Sequence, residues 1–127
     1  MINTLVLEDN SMRMVYFKKY DPSLIHVSSV DECIKLIKEN KIGELWLDHD
    51  LNNEMYVDSN RKDCGYEVVR YLTNNNHTKT IDTIFVHSHN KYANSNMNND
   101  LVKAGYTSIL YPFGKLYEEL RKAESYY

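Results

Sequence analysis

The sequence has little of what marks secreted, membrane-spanning or disulfide-rich proteins. Its 127 residues include only two cysteines, Cys33 and Cys64, too few for a disulfide framework or a zinc ribbon. No apolar run approaches the roughly 20 residues that a membrane-spanning helix needs. No basic segment precedes an apolar stretch at the N-terminus, as it would in a signal peptide. We therefore expect a cytoplasmic protein that makes no contact with a membrane.

The chain also lacks an excess of positive charge. It has 15 Lys and Arg residues against 18 Asp and Glu residues, which gives a formal net charge of −3. Because nucleic-acid-binding surfaces are normally basic, we expect no extended surface of that kind. A small anionic ligand, held at one site by a metal ion or by helix N-termini, is compatible with this charge.

The overall composition is that of a globular protein. Hydrophobic residues make up 43% of the chain and charged residues 26%, and 127 residues is a common size for one domain. We find no internal repeat, linker or low-complexity segment. We therefore predict a single domain over residues 1–127, although the sequence does not show its oligomeric state.

Short apolar stretches alternate with helical patterns along the chain. In the first helical pattern, Met12, Val15 and Tyr16 share an apolar face and Ser11 offers an N-cap. Five strands alternating with five helices predict an α/β fold, a parallel sheet covered on both faces. Right-handed crossovers then favour a flavodoxin-like (receiver-type) three-layer sandwich with strand order 2-1-3-4-5. The strands are predicted at residues 4–7, 24–27, 45–47, 81–86 and 107–111, and the helices begin near residues 11, 29, 66, 94 and 115.

Polar side chains follow three of the predicted strands at the point where each strand ends. In parallel sheets, ligands bind outside the carboxyl ends of the strands. Strands one, three and four are neighbours in the predicted order, so we expect the three segments to meet in one crevice. They are Glu8 and Asp9 after strand one; Asp48, His49 and Asp50 after strand three; and His87, Ser88, His89 and Asn90 after strand four.

The carboxylates among these residues predict a divalent metal site, with Glu8, Asp9, Asp48 and Asp50 as the ligands. Each pair of carboxylates about 4 Å apart costs about 4 kcal/mol at an effective dielectric near 20. Such a cluster takes up protons or binds a cation. Oxygen ligands favour Mg²⁺ or Mn²⁺, and an added imidazole shifts the preference toward Mn²⁺, Fe²⁺ or Zn²⁺. The alternative for Glu8 and Asp50 is a role as helix caps or solvated loop residues.

The histidines His49, His87 and His89 are candidates for metal binding and proton transfer. A neutral imidazole can ligate a metal ion, and an imidazolium can protonate a leaving oxygen near pH 7. The sequence does not show which of His87 and His89 faces the site. The alternative for one of them is a packing role beneath it.

Four further residues have a functional and a structural interpretation. Ser88 and Asn90 are candidates for binding a phosphoryl oxygen, with capping of the following helix as the alternative. Gly65 would let backbone N–H groups approach an anion, with a plain turn as the alternative. Cys64 lies near a predicted helix N-terminus, but no base stands beside it in the sequence, so we interpret it as structural.

The arrangement resembles the receiver domain of response regulators. In that family the acids after strand one bind Mg²⁺, the aspartate after strand three accepts a phosphoryl group, and a hydroxyl residue follows strand four. Asp48 and Ser88 occupy the latter two positions here. A lysine precedes the proline after strand five in that family, whereas this chain has Tyr111 before Pro112. The substitution speaks against ordinary phosphorelay switching, because the lysine pairs with the phosphoryl group.

A second and closer resemblance rests on motifs spread over most of the chain. They are Leu-Asp-His-Asp-Leu at 47–51, Gly-Tyr-Glu-Val-Val at 65–69, His-Ser-His-Asn at 87–90, Met97, and Gly-Tyr at 105–106. In these motifs the chain resembles the cyclic-phosphate-processing variant of the receiver domain. That resemblance implies action on cyclic or terminal phosphates in nucleotide signalling or RNA repair, often in phages and bacteria. Glu8 stands where related sequences more often have aspartate, which is one methylene shorter.

Two functions are compatible with these observations. The favoured one is a metal-dependent phosphoesterase that acts on cyclic or terminal phosphates of nucleotides or RNA. In it, Mg²⁺ or Mn²⁺ activates a water molecule and a histidine protonates the leaving oxygen, or Asp48 itself acts as the nucleophile. The alternative is a non-catalytic receiver-like domain that binds or sequesters a nucleotide or a partner protein.

Overall fold

Five parallel strands form the sheet of this protein. The structure, a computed structural model, describes residues 1–51, 58–87 and 91–125. The strand order is β2-β1-β3-β4-β5, and every neighbouring pair is parallel, as predicted. The strands are β1 (Ile2–Leu7), β2 (Ile25–Val27), β3 (Ile42–Leu47), β4 (Ile81–Val86) and β5 (Ser108–Leu110).

Helices cover both faces of the sheet and confirm the predicted three layers. The helices are α1 (Ser11–Tyr20), α2 (Val30–Glu39), α3 (Tyr66–Asn74), α4 (Lys91–Lys103) and α5 (Phe113–Ser125). Helix α1 packs against α5, while α2 packs against α3 and α3 against α4. Each face has its own apolar core, and Trp46 and Phe17 belong to the core beneath α1 and α5. In the described part of the chain, no helix has the length and apolarity to cross a membrane.

The predicted buried face of α1 was wrong. Met14 and Phe17 are the buried residues of this helix, whereas Met12 and Val15 are largely exposed. The helix is capped by Asn10 rather than Ser11, since the Asn10 side chain accepts hydrogen bonds from the backbone N–H groups of residues 12 and 13. Both sets of residues have helical spacing, and the edge-on packing of Phe17 against Trp46 favours the set that contains Phe17.

Several elements extend beyond their predicted bounds. Strands β1 and β3 both begin earlier, because Ile2 pairs with Ile42 and both side chains are buried. Helix α4 begins three residues before the predicted Asn94, and its first turn contributes the buried Ala93. Helix α5 begins at Phe113, directly after Pro112, whose carbonyl accepts from the Lys115 N–H. These differences leave the topology unchanged.

The register of the sheet brings three chain segments to one level. Leu7 pairs with Leu47, and Leu47 pairs with Val86, so β1, β3 and β4 end side by side. One step beyond them, the Asp48 N–H donates to the Leu7 carbonyl at 3.2 Å, and the His87 N–H donates to the Leu47 carbonyl at 3.0 Å. The residues that follow these strands therefore lie together.

Candidate metal centre

Glu8, Asp48 and His87 meet at the carboxyl edge of the sheet and form what we call the acid–imidazole cluster. Each offers one ligand atom, and these atoms lie within 4.8 Å of one another. The three residues are 0%, 2% and 0% exposed, respectively. Glu8 Oε2 lies 3.4 Å from His87 Nε2, and the carboxyl groups of Glu8 and Asp48 are close enough to shift each other's pKa. Three distant segments of the chain thus place two acids and an imidazole in a buried position.

The two buried carboxyl groups oppose each other's ionisation. Burial raises the pKa of Asp48 well above its ordinary value, and the neighbouring Glu8 raises it further. Burial also raises the pKa of Glu8, although the hydrogen bond with Asp48 and the charge of Arg13 oppose that shift. Both shifts favour a proton on the pair, and a divalent cation would compete with that proton.

His87 is a neutral imidazole at physiological pH. Complete burial lowers its pKa to about 4, against the attraction of Asp48, which raises it. Among the described residues, no hydrogen-bond partner reaches its Nδ1 atom, although that atom is buried. Most buried polar atoms have a partner, so an orphaned nitrogen requires an explanation. A neutral imidazole beside two carboxylates has the chemistry of a metal ligand.

Arg13 is the residue of this site that the sequence analysis missed. Its Nη1 atom lies 3.1 Å from Glu8 Oε1 and 3.7 Å from Asp48 Oδ2. Arg13 shares a helix face with Phe17, four residues later, and that face was not the one predicted to be buried. Recognising Asn10 as the N-cap would have placed Arg13 in the first turn of the helix, close to the end of β1.

Tyr111, at the position where the receiver family has lysine, takes no part in the cluster through its hydroxyl group. That hydroxyl donates to Glu119, and the ring packs edge-on against Trp46 with centroids 5.5 Å apart. The Nζ atom of Lys115 lies over the Tyr111 ring, 4.9 Å from its centroid. The positive charge beside Glu8 and Asp48 is instead that of Arg13 on α1.

Asp9 and Asp50, both predicted metal ligands, lie outside the group of three close ligand atoms among the described residues. Asp9 is half-buried, and its charge raises the pKa of the adjacent Glu8. Asp50 is also half-buried, and its Oδ1 accepts from His49 Nδ1 at 2.7 Å. Asp9 therefore adds negative charge at the edge of the cluster, whereas Asp50 serves a different group of residues.

That second group, which we call the His49 network, consists of His49, Asp50, Ser59 and Cys64. His49 is fully buried, with Nδ1 bonded to Asp50 and Nε2 lying 2.9 Å from Ser59 Oγ. Its ring packs edge-on against Tyr66 at 6.3 Å. Asp48 and His49 are adjacent in sequence, yet Asp48 joins the acid–imidazole cluster and His49 faces α3. Among the carboxylates predicted as metal ligands, His49 is thus bonded to Asp50 and not to Glu8 or Asp48 in the described structure.

Cys64 has the base that its sequence context did not reveal. Burial alone would raise the pKa of its thiol, but hydrogen bonds from His49 and from the Tyr66 backbone lower the pKa overall. The thiol also lies 3.2 Å from the Arg61 carbonyl. Burial alone would likewise lower the pKa of His49, but Cys64 and Asp50 raise it.

Gly65 allows α3 to pack tightly against the end of β3. A Cβ atom at this position would lie 1.7 Å from the Asp48 carbonyl oxygen, so no larger residue fits. The Gly65 N–H donates to the His49 carbonyl at 2.8 Å. The geometry therefore gives Gly65 a packing role, in line with the turn alternative. Ser88, His89 and Asn90 lie outside the described residues.

Comparisons with known proteins agree with the fold and with the predicted family. The family model described as the cyclic-phosphate processing receiver domain matches residues 4–103, which include the whole acid–imidazole cluster. One similar solved structure is the signal receiver domain of a protein described as a Luxo repressor from Vibrio parahaemolyticus. The TM-score is 0.59 at 18% identity, over 94% of this chain and 87% of that one, a likeness that shows the fold alone. No curated protein matches the chain.

Proposed function

This chain belongs to the cyclic-phosphate processing receiver domain family, and we propose that it is a metal-dependent phosphoesterase acting on cyclic or terminal phosphates of nucleotides or RNA. The observation that supports this proposal is the buried group of Glu8, Asp48 and His87. Two carboxyl groups that repel each other, beside the Nε2 atom of a neutral imidazole, form a site that a divalent cation would complete.

The donor set fits Mn²⁺ or Mg²⁺. Glu8 and Asp48 offer carboxylate oxygens, the preferred ligands of both ions, and His87 adds a nitrogen that shifts the preference toward Mn²⁺. Asp9, beside Glu8, contributes negative charge that favours a cation. When bound, the ion would lower the pKa of a water molecule and stabilise negative charge on the phosphoryl oxygens.

The chain's own residues have distinct tasks in this scheme. Asp48 and Glu8 would hold the cation and would lose to solvent any proton that they share, and an aromatic floor packs against the buried His87 ring. Phe17 and Trp46 form this floor, with ring centroids 5.0 and 6.1 Å from the His87 ring. Because the pKa of His87 is about 4, this imidazole is better suited to metal binding than to protonating a leaving group.

The proton for the leaving oxygen then requires another group. His49 is committed to Asp50 and Ser59, which leaves His89 as the remaining candidate from the sequence. Ser88 and Asn90 are the candidates for contacting the phosphoryl oxygens. The alternative mechanism, with Asp48 as nucleophile, predicts an acyl phosphate that hydroxylamine would trap.

Turnover assays test the proposal directly. The purified protein is incubated with 2′,3′-cyclic nucleotides, cyclic dinucleotides and phosphate-ended RNA, each with Mn²⁺, with Mg²⁺ and with EDTA. We expect metal-dependent hydrolysis of at least one substrate, lost in Asp48→Asn. Asp82→Asn is the matched control, because Asp82 is an exposed acid on β4. Folded wild-type protein that hydrolyses none of these substrates with either metal would contradict the proposal.

The non-catalytic alternative is favoured by the complete burial of Glu8 and His87 and by the tyrosine at position 111. A buried cluster behind Arg13 could hold a cation and a nucleotide without turning the nucleotide over. This function predicts that a cyclic nucleotide raises the melting temperature in the presence of Mn²⁺ while no product accumulates.

A further inference from the structure

We propose that Arg13 binds the phosphoryl group of the substrate and is released for that task when a divalent cation takes its place on Glu8 and Asp48. The inference rests on the proposed function and adds to it the residue that recognises the phosphate. It concerns a side chain that neither the sequence patterns nor the family description assigns.

Arg13 occupies the position of a counter-ion in the acid–imidazole cluster. One nitrogen, Nη1, is close to both carboxyl groups, at 3.1 Å from Glu8 Oε1 and 3.7 Å from Asp48 Oδ2. A divalent cation would bind these same carboxyl groups. Arg13 contacts Oε1 of Glu8, whereas Oε2 of Glu8 faces His87. A divalent ion on these carboxyl groups would repel the guanidinium at short range and weaken its pairing with them.

The backbone of Arg13 is fixed, so the displaced side chain stays at the site. Arg13 lies in the first turn of α1, where its N–H donates to the Asn10 side chain at 3.1 Å. The next residue, Met14, is buried, and Phe17 anchors the same helix face against Trp46. A displacement would therefore involve the long side chain alone, whose length keeps the guanidinium near the end of β1.

Arg13 also lies on the solvent side of the cluster. Its side chain is 19% exposed, whereas the side chain of Glu8 is 0% exposed and that of Asp48 is 3% exposed. An incoming phosphate therefore meets the guanidinium before it meets the buried acids. A planar guanidinium offers paired N–H donors that match two phosphoryl oxygens, which an ammonium group cannot do.

The rest of the described chain offers no equivalent cation at this edge. Tyr111 stands at the position of the receiver-family lysine, and its hydroxyl is bonded to Glu119. Lys115 lies over the Tyr111 ring. In the described residues, Arg13 is the arginine or lysine paired with the carboxylates of the cluster.

This arrangement predicts that metal and phosphate bind cooperatively. Without the metal, the guanidinium is paired with the two acids. With the metal, the charge of the ion weakens that pairing and attracts an anion, to which the guanidinium can turn. Because the coupling of two ligands is reciprocal, phosphate must also strengthen metal binding.

The experiment measures two affinities in the full chain by isothermal titration calorimetry. The first is for Mn²⁺ alone, and the second is for phenylphosphonate, a phosphate analogue without a hydrolysable ester, with and without saturating Mn²⁺. The variants are Arg13→Gln and Arg13→Lys. Lys18→Gln is the matched control, since Lys18 is an exposed cation on the same helix.

We expect Arg13→Gln to bind Mn²⁺ about tenfold more tightly and phenylphosphonate about tenfold more weakly than wild type in the presence of Mn²⁺. The enhancement of phosphonate binding by Mn²⁺ should disappear in this variant. Arg13→Lys keeps the charge but not the planar fork, so its Mn²⁺ affinity should stay near that of wild type while phosphonate binding weakens. Lys18→Gln should change neither affinity.

The outcomes separate this inference from the proposed function. If wild type binds Mn²⁺ but Arg13→Gln has unchanged affinities for both ligands, Arg13 does not have this role and the metal site stands. If no variant binds Mn²⁺, the proposed function and this inference are both wrong. Should Arg13→Gln fail to fold, Arg13→Lys decides, because unchanged phosphonate binding in that variant would overturn the inference.

Discussion

The two buried histidines at the carboxyl edge of the sheet differ in how their ring nitrogens are satisfied. His49 has Asp50 on one nitrogen and Ser59 on the other. In the described structure, His87 has Glu8 near one nitrogen and nothing bonded to the other. Both nitrogens of His49 are bonded, whereas His87 turns its Nε2 atom to the acids of the cluster and leaves its Nδ1 atom without a partner among the described residues. This difference, more than burial, is the reason for proposing His87 and not His49 as a metal ligand.

The largest expected effect is on metal affinity. His87→Ala removes a proposed ligand and should weaken Mn²⁺ binding by about 100-fold or more. Loss of a residue that merely hydrogen-bonds to a metal ligand already weakens metal binding by about 10–100-fold. His49→Gln should change the same affinity by less than about threefold, because the ring does not contact the cluster. Calorimetric titration with Mn²⁺ measures both. Equal losses in the two variants would abolish the distinction between the histidines.

Gly65→Ala should give the largest loss of stability. The new methyl group would collide with the Asp48 carbonyl oxygen and force α3 away from β3, at a cost of about 3 kcal/mol. Urea unfolding measures the loss. Gly114→Ala is the control, because a Cβ there meets nothing within 4 Å and alanine favours the helical conformation of α5 by about 0.5–1 kcal/mol. A stable Gly65→Ala protein would show that the contact is not needed.

His49→Gln should cost a smaller part of the free energy of unfolding, about 2 kcal/mol, because one of the two hydrogen bonds to Asp50 and Ser59 is lost. The glutamine amide can replace one of the two contacts but not both. The same urea titration checks this value. A variant as stable as wild type would mean that the His49 network does not stabilise the β3–α3 connection.

The pH dependence of stability, measured in EDTA, should have opposite signs for the two imidazoles. The pKa of His87 is about 4, below the ordinary 6.5, so its contribution is lost as the pH falls from 6.5 to 4. The pKa of His49 is raised, so its contribution is present below 6.5 and is lost as the pH rises through the raised value. Each effect is at most about 1.4 kcal/mol per pH unit.

Urea unfolding of His87→Phe and His49→Gln across pH 4–8 measures how much each imidazole contributes to the change of stability with pH, which is the slope of the free energy of unfolding against pH. Relative to wild type, His87→Phe should be less sensitive to acid, and His49→Gln should lose less stability on the alkaline side. Slopes of the same sign in both variants would contradict the contrast drawn between the two environments.

The convergence of Glu8, Asp48 and His87 follows from features that the sequence displays. Apolar strands with abrupt polar ends, and the strand order 2-1-3-4-5, are enough to place these residues at neighbouring positions. Strands that are buried on both faces are nearly continuous apolar runs, so the first polar residues after such a run mark the end of the strand.

The directions of the side chains were harder to predict. Alternation along an extended chain requires Asp48 and His49 to face opposite sides, yet both were assigned to one crevice. Arg13 was missed because two helical faces of α1 have similar apolar spacing, and packing against Trp46 decides between them. Tertiary contacts between distant segments settle such choices, and periodicity alone does not reveal them.

The central claim is tested most directly by counting the Mn²⁺ ions bound to wild type and to Asp48→Asn. Calorimetric titration of the chelator-treated protein should give about one Mn²⁺ per chain for wild type and for Asp82→Asn, and no binding for Asp48→Asn. Trp46, the chain's one tryptophan, has its ring 6.1 Å from His87 and should report the same event by fluorescence. A wild-type protein that binds no Mn²⁺, or an Asp48→Asn protein that binds it equally well, would contradict the account.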